Sequence, residues 1–203
     1  ARIPFGIGAE DVPILLMPGS RREEIERLLP PMLGAAKILA AKDSARRFFL
    51  PVAGGGDVTQ IGRHLAASSV DVTLAYDARY ALMGIARAAI AASGTVIMEA
   101  AIMGLPAVVL YRMSTLSYLI GRLLVDVPRF SLPNILVGET FETELLQDAV
   151  QPERIAEAME RIIADGADRV YVTERLARAV ALLGEPHAAR RVAEKILALA
   201  KRA

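Results

Sequence analysis

The sequence predicts an α/β fold, a doubly wound parallel sheet followed by a C-terminal helical extension. Three observations predict it. Short apolar runs alternate with longer helical patterns along most of the chain. Those runs are almost continuously apolar, as parallel strands covered on both faces must be. After about residue 141 the alternation gives way to charged, amphipathic helical patterns.

The elements follow in order. The opening ARIPFGIGAE reads as the tail of a linker, so residues 1–12 are a linker remnant and the chain the second half of something longer. The run PILLM gives a strand near 13–17, stopped by Pro-Gly-Ser. Ser20 and Glu23 have the S-x-x-E spacing of a capping box, which opens a helix over 20–41. Further strands fall near 47–53, 70–75, 88–92 and 106–111, with helices near 57–68, 77–87, 95–104 and 114–125. Residues 13–140 form the α/β domain, which would bind ligands at the carboxyl ends of its strands. Residues 141–203 form the extension, with helices from Pro152 to Gly166, at about 169–184 and at about 187–202. Pro152 suits a first helical position and Gly166 the residue past an end.

Composition narrows the function. The 203 residues are 54% hydrophobic, with 24 basic and 23 acidic side chains and a net charge of +1. That balance gives no general attraction to nucleic acid, and no basic run with interleaved aromatics is present. With no cysteine, disulfides, thiol catalysis and thiolate metal sites are excluded. The most apolar stretch, Ile85 to Tyr111, contains Arg87, Glu99 and Pro106, so it reads as buried strand–helix–strand, not a membrane span. His64 and His187 are far apart and have no ligand-spaced partners, so no metal is expected. GxSxG, Asp-x-Asp and GxxxxGK[ST] patterns are absent.

Three places could carry chemistry. Gly19-Ser20-Arg21-Arg22 stands where a strand turns into a helix, and a helix start favours an anion. Arginines there sit against the helix dipole, which a phosphate held between Arg21 and the helix would explain. The plainer reading is a capped helix with solvated arginines, Arg22 pairing with Glu26. Ser93-Gly94-Thr95 opens a second helix whose one charge is Glu99. Thr95 and Glu99 share a face, so a phosphate at the helix start and sugar hydroxyls on the carboxylate would suit them. Otherwise Glu99 reaches an edge or an arginine. Third is Asn134 of SLPN, in a loop, able to read a ligand or cap a turn. Gly54-Gly55-Gly56 reads as a flexible turn, since it lacks the dinucleotide-binding spacing.

Together the blocks LLMPGSRREEIERLLPPML, AASGTVIMEAAIMGLPAVVLYRMSTLSYLIGRLL and FSLPNILVGE, with ELLQ shortly after, resemble the lipid-A-disaccharide synthase family. Their order and spacing match its C-terminal half over essentially the whole chain. The resemblance implies a Rossmann-like half of a two-domain GT-B glycosyltransferase. Such an enzyme moves 2,3-diacylglucosamine from its UDP derivative to 2,3-diacylglucosamine 1-phosphate, releasing UDP. It inverts the anomeric carbon and uses no metal or other cofactor. By the same resemblance Arg21 would contact the donor phosphates, and Gly19 and Ser20 belong to its block. Ser93, Gly94 and Thr95 would cradle the diphosphate, Glu99 would hold sugar or ribose hydroxyls, and Asn134 would join the same site. The acceptor pocket and the general base belong to the other half, so this chain alone should bind donor or UDP and not turn over.

The resemblance also implies a cytoplasmic protein at the inner membrane of a Gram-negative bacterium. The segment 114–124, with Arg122, would lie on the membrane or meet acyl chains, or else pack on the sheet or form a dimer contact. One departure stands out: where the family commonly has x-G-R-E after SLPN-x-L, this chain has Val137-Gly138-Glu139-Thr140, so an arginine is missing. Two alternatives stay open. One is another GT-B enzyme, an N-acetylglucosaminyltransferase or a UDP-N-acetylglucosamine 2-epimerase, although the PGSR and SLPN blocks are not theirs. The other is a non-catalytic nucleotide-binding module.

Overall fold

The computed structural model of the protein describes residues 5–52, 57–113, 128–184 and 188–200. The glycine run 54–56, the helix expected at 114–125 with Arg122, and His187 lie outside the described residues. Six described strands form one parallel sheet: β1 Val12–Met17, β2 Arg46–Val52, β3 Val72–Tyr76, β4 Ala88–Ala92, β5 Ala107–Tyr111 and β6 Glu144–Leu146. Their order is β3-β2-β1-β4-β5-β6. The described helices are α1 Arg22–Lys42, α2 Val58–Ala66, α3 Arg79–Met83, α4 Thr95–Ile102, α5 Leu132–Val137, α6 Pro152–Ile163, α7 Ala167–Leu182 and α8 Ala188–Ala200.

The strands are apolar throughout because successive side chains feed two different cores. Ile14 and Leu16 enter a layer shared with Leu28, Met32, Ile155 and Met159, while Leu15 and Met17 enter the opposite layer with Leu82, Met83, Ile97 and Ala100. Leu15 and Leu16 are wholly buried, each contributing about 1.5–3 kcal/mol. Thus α1, α2, α6 and α7 cover one face, and α3 and α4 the other. Pro30 and Pro31 lie inside α1 without ending it, since the buried stripe from Ile25 to Leu39 continues past them.

Four differences from the sequence reading have local causes. The helix expected at 77–87 stops at Met83, because Gly84 caps it and the Arg87 N–H is drawn into the ladder by the Pro13 carbonyl at 2.7 Å. SLPN is not a loop: Ser131 caps α5, and Gly138 closes it in the left-handed conformation at φ 79°. The sheet runs past residue 140, because Glu144–Leu146 adds a sixth strand too short to show a period. Gly166 caps the start of α7, while α6 begins at Pro152 as expected.

The predicted extension is therefore partly core. Residues Ile155, Met159 and Ile162 of α6 and Val172 and Leu176 of α7 pack in the same layer as α1. Gly34 permits the close α1–α6 crossing, where an added Cβ would lie 2.7 Å from Pro152 Cγ. Glu160 of α6 clasps the Arg46 guanidinium in two bonds of 2.7 and 2.8 Å.

Candidate functional site

Strand order reverses between β1 and β4, so the chain leaves their carboxyl ends toward opposite faces and opens a crevice between them. A cavity of about 330 Å³ occupies that place. One rim is the end of β1 with Gly19, Ser20, Arg21 and Glu24; the other is the end of β4 with Ser93, Gly94, Thr95 and Val96. Arg79 reaches in from α3. Six of the expected site residues thus meet at one cavity although more than seventy positions separate the two blocks. Glu99 and Asn134 are not in its wall.

The α1 rim is filled by the protein itself. The cap is Arg21, not Ser20, and Glu24, not Glu23, reaches back over the helix start. The Glu24 carboxylate accepts the backbone N–H groups of Ser20 and Arg21, both at 3.2 Å, and the Arg21 guanidinium at 3.1 Å. Gly19 makes this possible. Its φ of 102° disfavours any side chain, and a Cβ there would stand 2.2 Å from Glu24 Oε2. The arginine side chain is 84% exposed at the cavity mouth. Arg22 does not pair with Glu26, which instead accepts Gln60 Nε2 at 2.8 Å and lies 3.3 Å from His64 Nε2. Those contacts, the Gln60 bond foremost, hold the Glu26 carboxyl below its ordinary pKa.

The α4 rim is built differently. Gly94 is the cap with no side-chain cap bond, and a Cβ added to it would meet open space. The first N–H groups of a helix have no partner within it. Here they open beside exposed Gly94 and Thr95. Ser93 is already committed: its N–H donates to the Leu110 carbonyl at 2.8 Å and its hydroxyl to the Phe130 carbonyl at 3.1 Å. Ser93 therefore fixes the turn, and the donors facing the cavity come after it.

One turn along α4, Glu99 is half-buried, and its Oε2 lies 3.2 Å from Arg79 Nε. Of the two readings open for Glu99, the arginine partner is the one present. Charge pairing is not a directed hydrogen bond, however, and that buried oxygen has no hydrogen-bond donor. Arg79 also stands 4.9 Å over the Tyr80 ring and donates to the Tyr80 hydroxyl at 3.2 Å. The sequence reading missed Arg79, since a single arginine on a short helix has no local signature.

Asn134 is fully buried. Its amide oxygen accepts the N–H groups of Phe141 and Glu142 at 3.1 and 3.0 Å, and its Nδ2 donates to the Glu142 carbonyl and to Glu144 Oε1 at 2.9 and 2.7 Å. With its side-chain capacity spent inside the chain, Asn134 is linked to the cavity through Glu144, which holds the Phe130 bonded to Ser93. Neighbouring Glu142 is 1% exposed, and neither carboxylate oxygen has a hydrogen-bond partner. Burial pushes its pKa up to about 8, against the opposing pull of the nearby Ala107 backbone and with a smaller contribution from the Glu144 charge. Where the family arginine is missing, Glu139 pairs with Arg175 at 2.9 Å and Arg178 at 3.2 Å on α7.

A larger polar cavity, about 600 Å³, lies by Val12 and Pro13 at the opposite end of the sheet. Its cations are engaged: Arg46 with Glu160, Arg87 with Asp165, and Arg169 with the carbonyls of Arg87 and Ile162. Among the described residues no three His, Asp or Glu side chains gather as metal ligands would, and no helix is long and apolar enough to cross a membrane.

The sheet order and the crevice between two helix starts define a Rossmann-like domain, the fold of one half of a GT-B structure. WaaG, a glycosyltransferase involved in lipopolysaccharide biosynthesis, superposes with a TM-score of 0.59 at 15% identity, over 91% of this chain and 46% of that one. ADP-heptose heptosyltransferase II of E. coli gives 0.57 at 16% identity, over 80% and 49%. A UDP-GlcNAc 2-epimerase from Neisseria meningitidis, solved with UDP-GlcNAc, gives 0.52 at 16% identity, over 86% and 41%.

Sequence carries the assignment further. A family profile described as lipid-A-disaccharide synthetase matches residues 4–198. A lipid-A-disaccharide synthase from Syntrophus aciditrophicus is 40% identical over 98% of this chain, and one from Anaeromyxobacter dehalogenans 41% identical over 97%. The chain belongs to the lipid-A-disaccharide synthase family. It spans about half the length of these relatives, 52% and 51%.

Proposed function

We propose that this chain is the donor-binding half of a lipid-A-disaccharide synthase and holds the UDP portion of UDP-2,3-diacylglucosamine in the cavity between β1 and β4. The observation that carries the reading is the pairing of an unfilled helix start at Gly94–Thr95 with the Arg21 and Arg79 side chains across one cavity. A diphosphate would sit against the α4 N–H groups and the positive end of its dipole, with Arg21 closing over it. Gly19 and Ser20 shape the facing wall. Glu99 stands outside the cavity wall, paired with Arg79, and would hold sugar or ribose hydroxyls only where the bound donor extends past that wall. Asn134 would act indirectly, by holding Glu144 against Phe130.

In the whole enzyme the 6-hydroxyl of 2,3-diacylglucosamine 1-phosphate would attack the anomeric carbon of the donor, with inversion. A carboxylate of the other half would take the proton, and UDP would leave. The charge developing on the leaving UDP would fall on the α4 start and the arginines, electrostatic stabilisation that needs no divalent cation. Both sugars carry acyl chains, so the whole protein would work at the cytoplasmic surface of the inner membrane. Titration calorimetry of the chain with UDP in the presence of a chelator tests the donor reading. Binding without magnesium is expected, and strict dependence on added magnesium would overturn it.

A further inference from the structure

Two side chains, Glu144 and Gln147, hold the described ends of the β5–α5 connection. They stand three residues apart, at the start of β6 and in the 3-10 turn Gln147–Ala149 that follows. Both oxygens of Glu144 are engaged, and every donor comes from one stretch of chain. Oε2 accepts the Phe130 N–H at 2.9 Å, and Oε1 accepts the Ser131 N–H at 3.0 Å and Asn134 Nδ2 at 2.7 Å. Gln147 does the same for the other end of the β5–α5 connection. Its Oε1 accepts the Met113 N–H at 2.8 Å and its Nε2 donates to the Met113 carbonyl at 3.3 Å.

Gln147 makes these bonds from a left-handed backbone, φ 50°, in a residue with a Cβ. Such a conformation is strained for a residue with a Cβ and persists only where its surroundings require it. Glu144 holds Phe130 directly, whose carbonyl receives the Ser93 hydroxyl at 3.1 Å, whereas Gln147 holds Met113, two residues after Tyr111, whose ring lies 5.8 Å from that of Phe130.

We infer that Glu144 and Gln147 are positioning residues for the nucleotide site, fixing the two ends of the β5–α5 connection so that the Phe130 carbonyl locks the Ser93–Gly94 turn at the mouth of α4. The inference rests on the donor-binding reading above. It differs from ordinary loop closure in one measurable respect: the contribution of Glu144 to nucleotide affinity must pass through Ser93.

The test is a double-mutant cycle on the full chain, Glu144→Gln with Ser93→Ala, read as the UDP dissociation constant by calorimetry, with Tm alongside. Gln keeps the shape of Glu144 but turns one acceptor into a donor facing the three N–H groups. Each single change is expected to weaken UDP binding about tenfold, roughly 1.4 kcal/mol. The double variant should be little weaker than either, because coupled residues are not additive. Gln147→Gly provides a second route: glycine relieves the left-handed backbone, so stability is held while the Met113 clamp is lost and UDP binding falls about threefold. Additive losses in the cycle, or lower Tm with unchanged UDP affinity, overturn the positioning role and leave donor binding standing. Absence of UDP binding by the unsubstituted chain overturns both.

Discussion

The two helix starts that face each other across the cavity are built to opposite ends. At α1 the Glu24 carboxylate folds back over Gly19 and occupies the backbone N–H groups of Ser20 and Arg21. At α4 no side chain caps the helix, and exposed Gly94 and Thr95 leave its start open. Both follow the same local pattern, an apolar strand, then a Gly/Ser turn, then a helix. The difference teaches that a strand–turn–helix block is an anion seat only when its own carboxylates stay away. On the donor-binding reading, α4 would offer the seat and α1 an arginine.

Giving α4 what α1 already has should break the comparison most severely. Thr95→Glu places a carboxylate at the open start, and its repulsion of the diphosphate should lower UDP affinity at least about 100-fold while leaving the fold intact. Calorimetry on a variant of unchanged Tm measures this. Next comes the arm over the cavity: Arg21→Ala should weaken UDP binding by about 1–3 kcal/mol through loss of a charge-assisted contact. A change below about 0.5 kcal/mol would return Arg21 to the status of a surface cation. The third change empties the α1 start. Glu24→Ala frees Arg21 and two N–H groups, and UDP binding should strengthen about twofold to fivefold while Tm falls slightly. Weaker binding would show that Glu24 supports the site instead of competing for it.

The smallest effect lies in the network that holds the α4 rim. Glu142 titrates near 4.5 when unfolded and near 8 when buried in the fold. Below the lower value both states hold the proton. Between the two values only the folded state does, so stability falls as pH rises through that window, and above about 8 the full loss is reached. Glu142→Gln should therefore flatten the stability profile, raising Tm more at about pH 8 than at about pH 5. Parallel profiles for the two proteins would contradict the buried, neutral carboxyl.

Much of this was legible in the sequence. The strand at 88–92 appears with its expected bounds, and four more lie within about two residues of theirs, because parallel strands buried on both faces leave unbroken apolar runs. Gly19 to Arg21 and Ser93 to Thr95 were legible as helix starts for the same reason. Whether a start is open was not. Glu23 and Glu24 are adjacent, and the choice of Glu24 depends on the positive φ of Gly19, which one sequence does not display. Asn134 was recognised as part of a motif but placed at the ligand, whereas its four side-chain hydrogen bonds are all internal. Arg79 and Glu144 become meaningful only after folding brings α3 to α4 and β6 to the β5–α5 connection.

The central claim is that a nucleoside diphosphate binds at the α4 start and not in the capped start of α1. A titration of the isotope-labelled chain with UDP, without divalent cation, reads both starts at once through their backbone amide resonances. The account predicts the largest shifts at Gly94, Thr95 and Val96, with smaller ones at Ser20 and Arg21. Shifts confined to Ser20 and Arg21, or none at either rim, would contradict it.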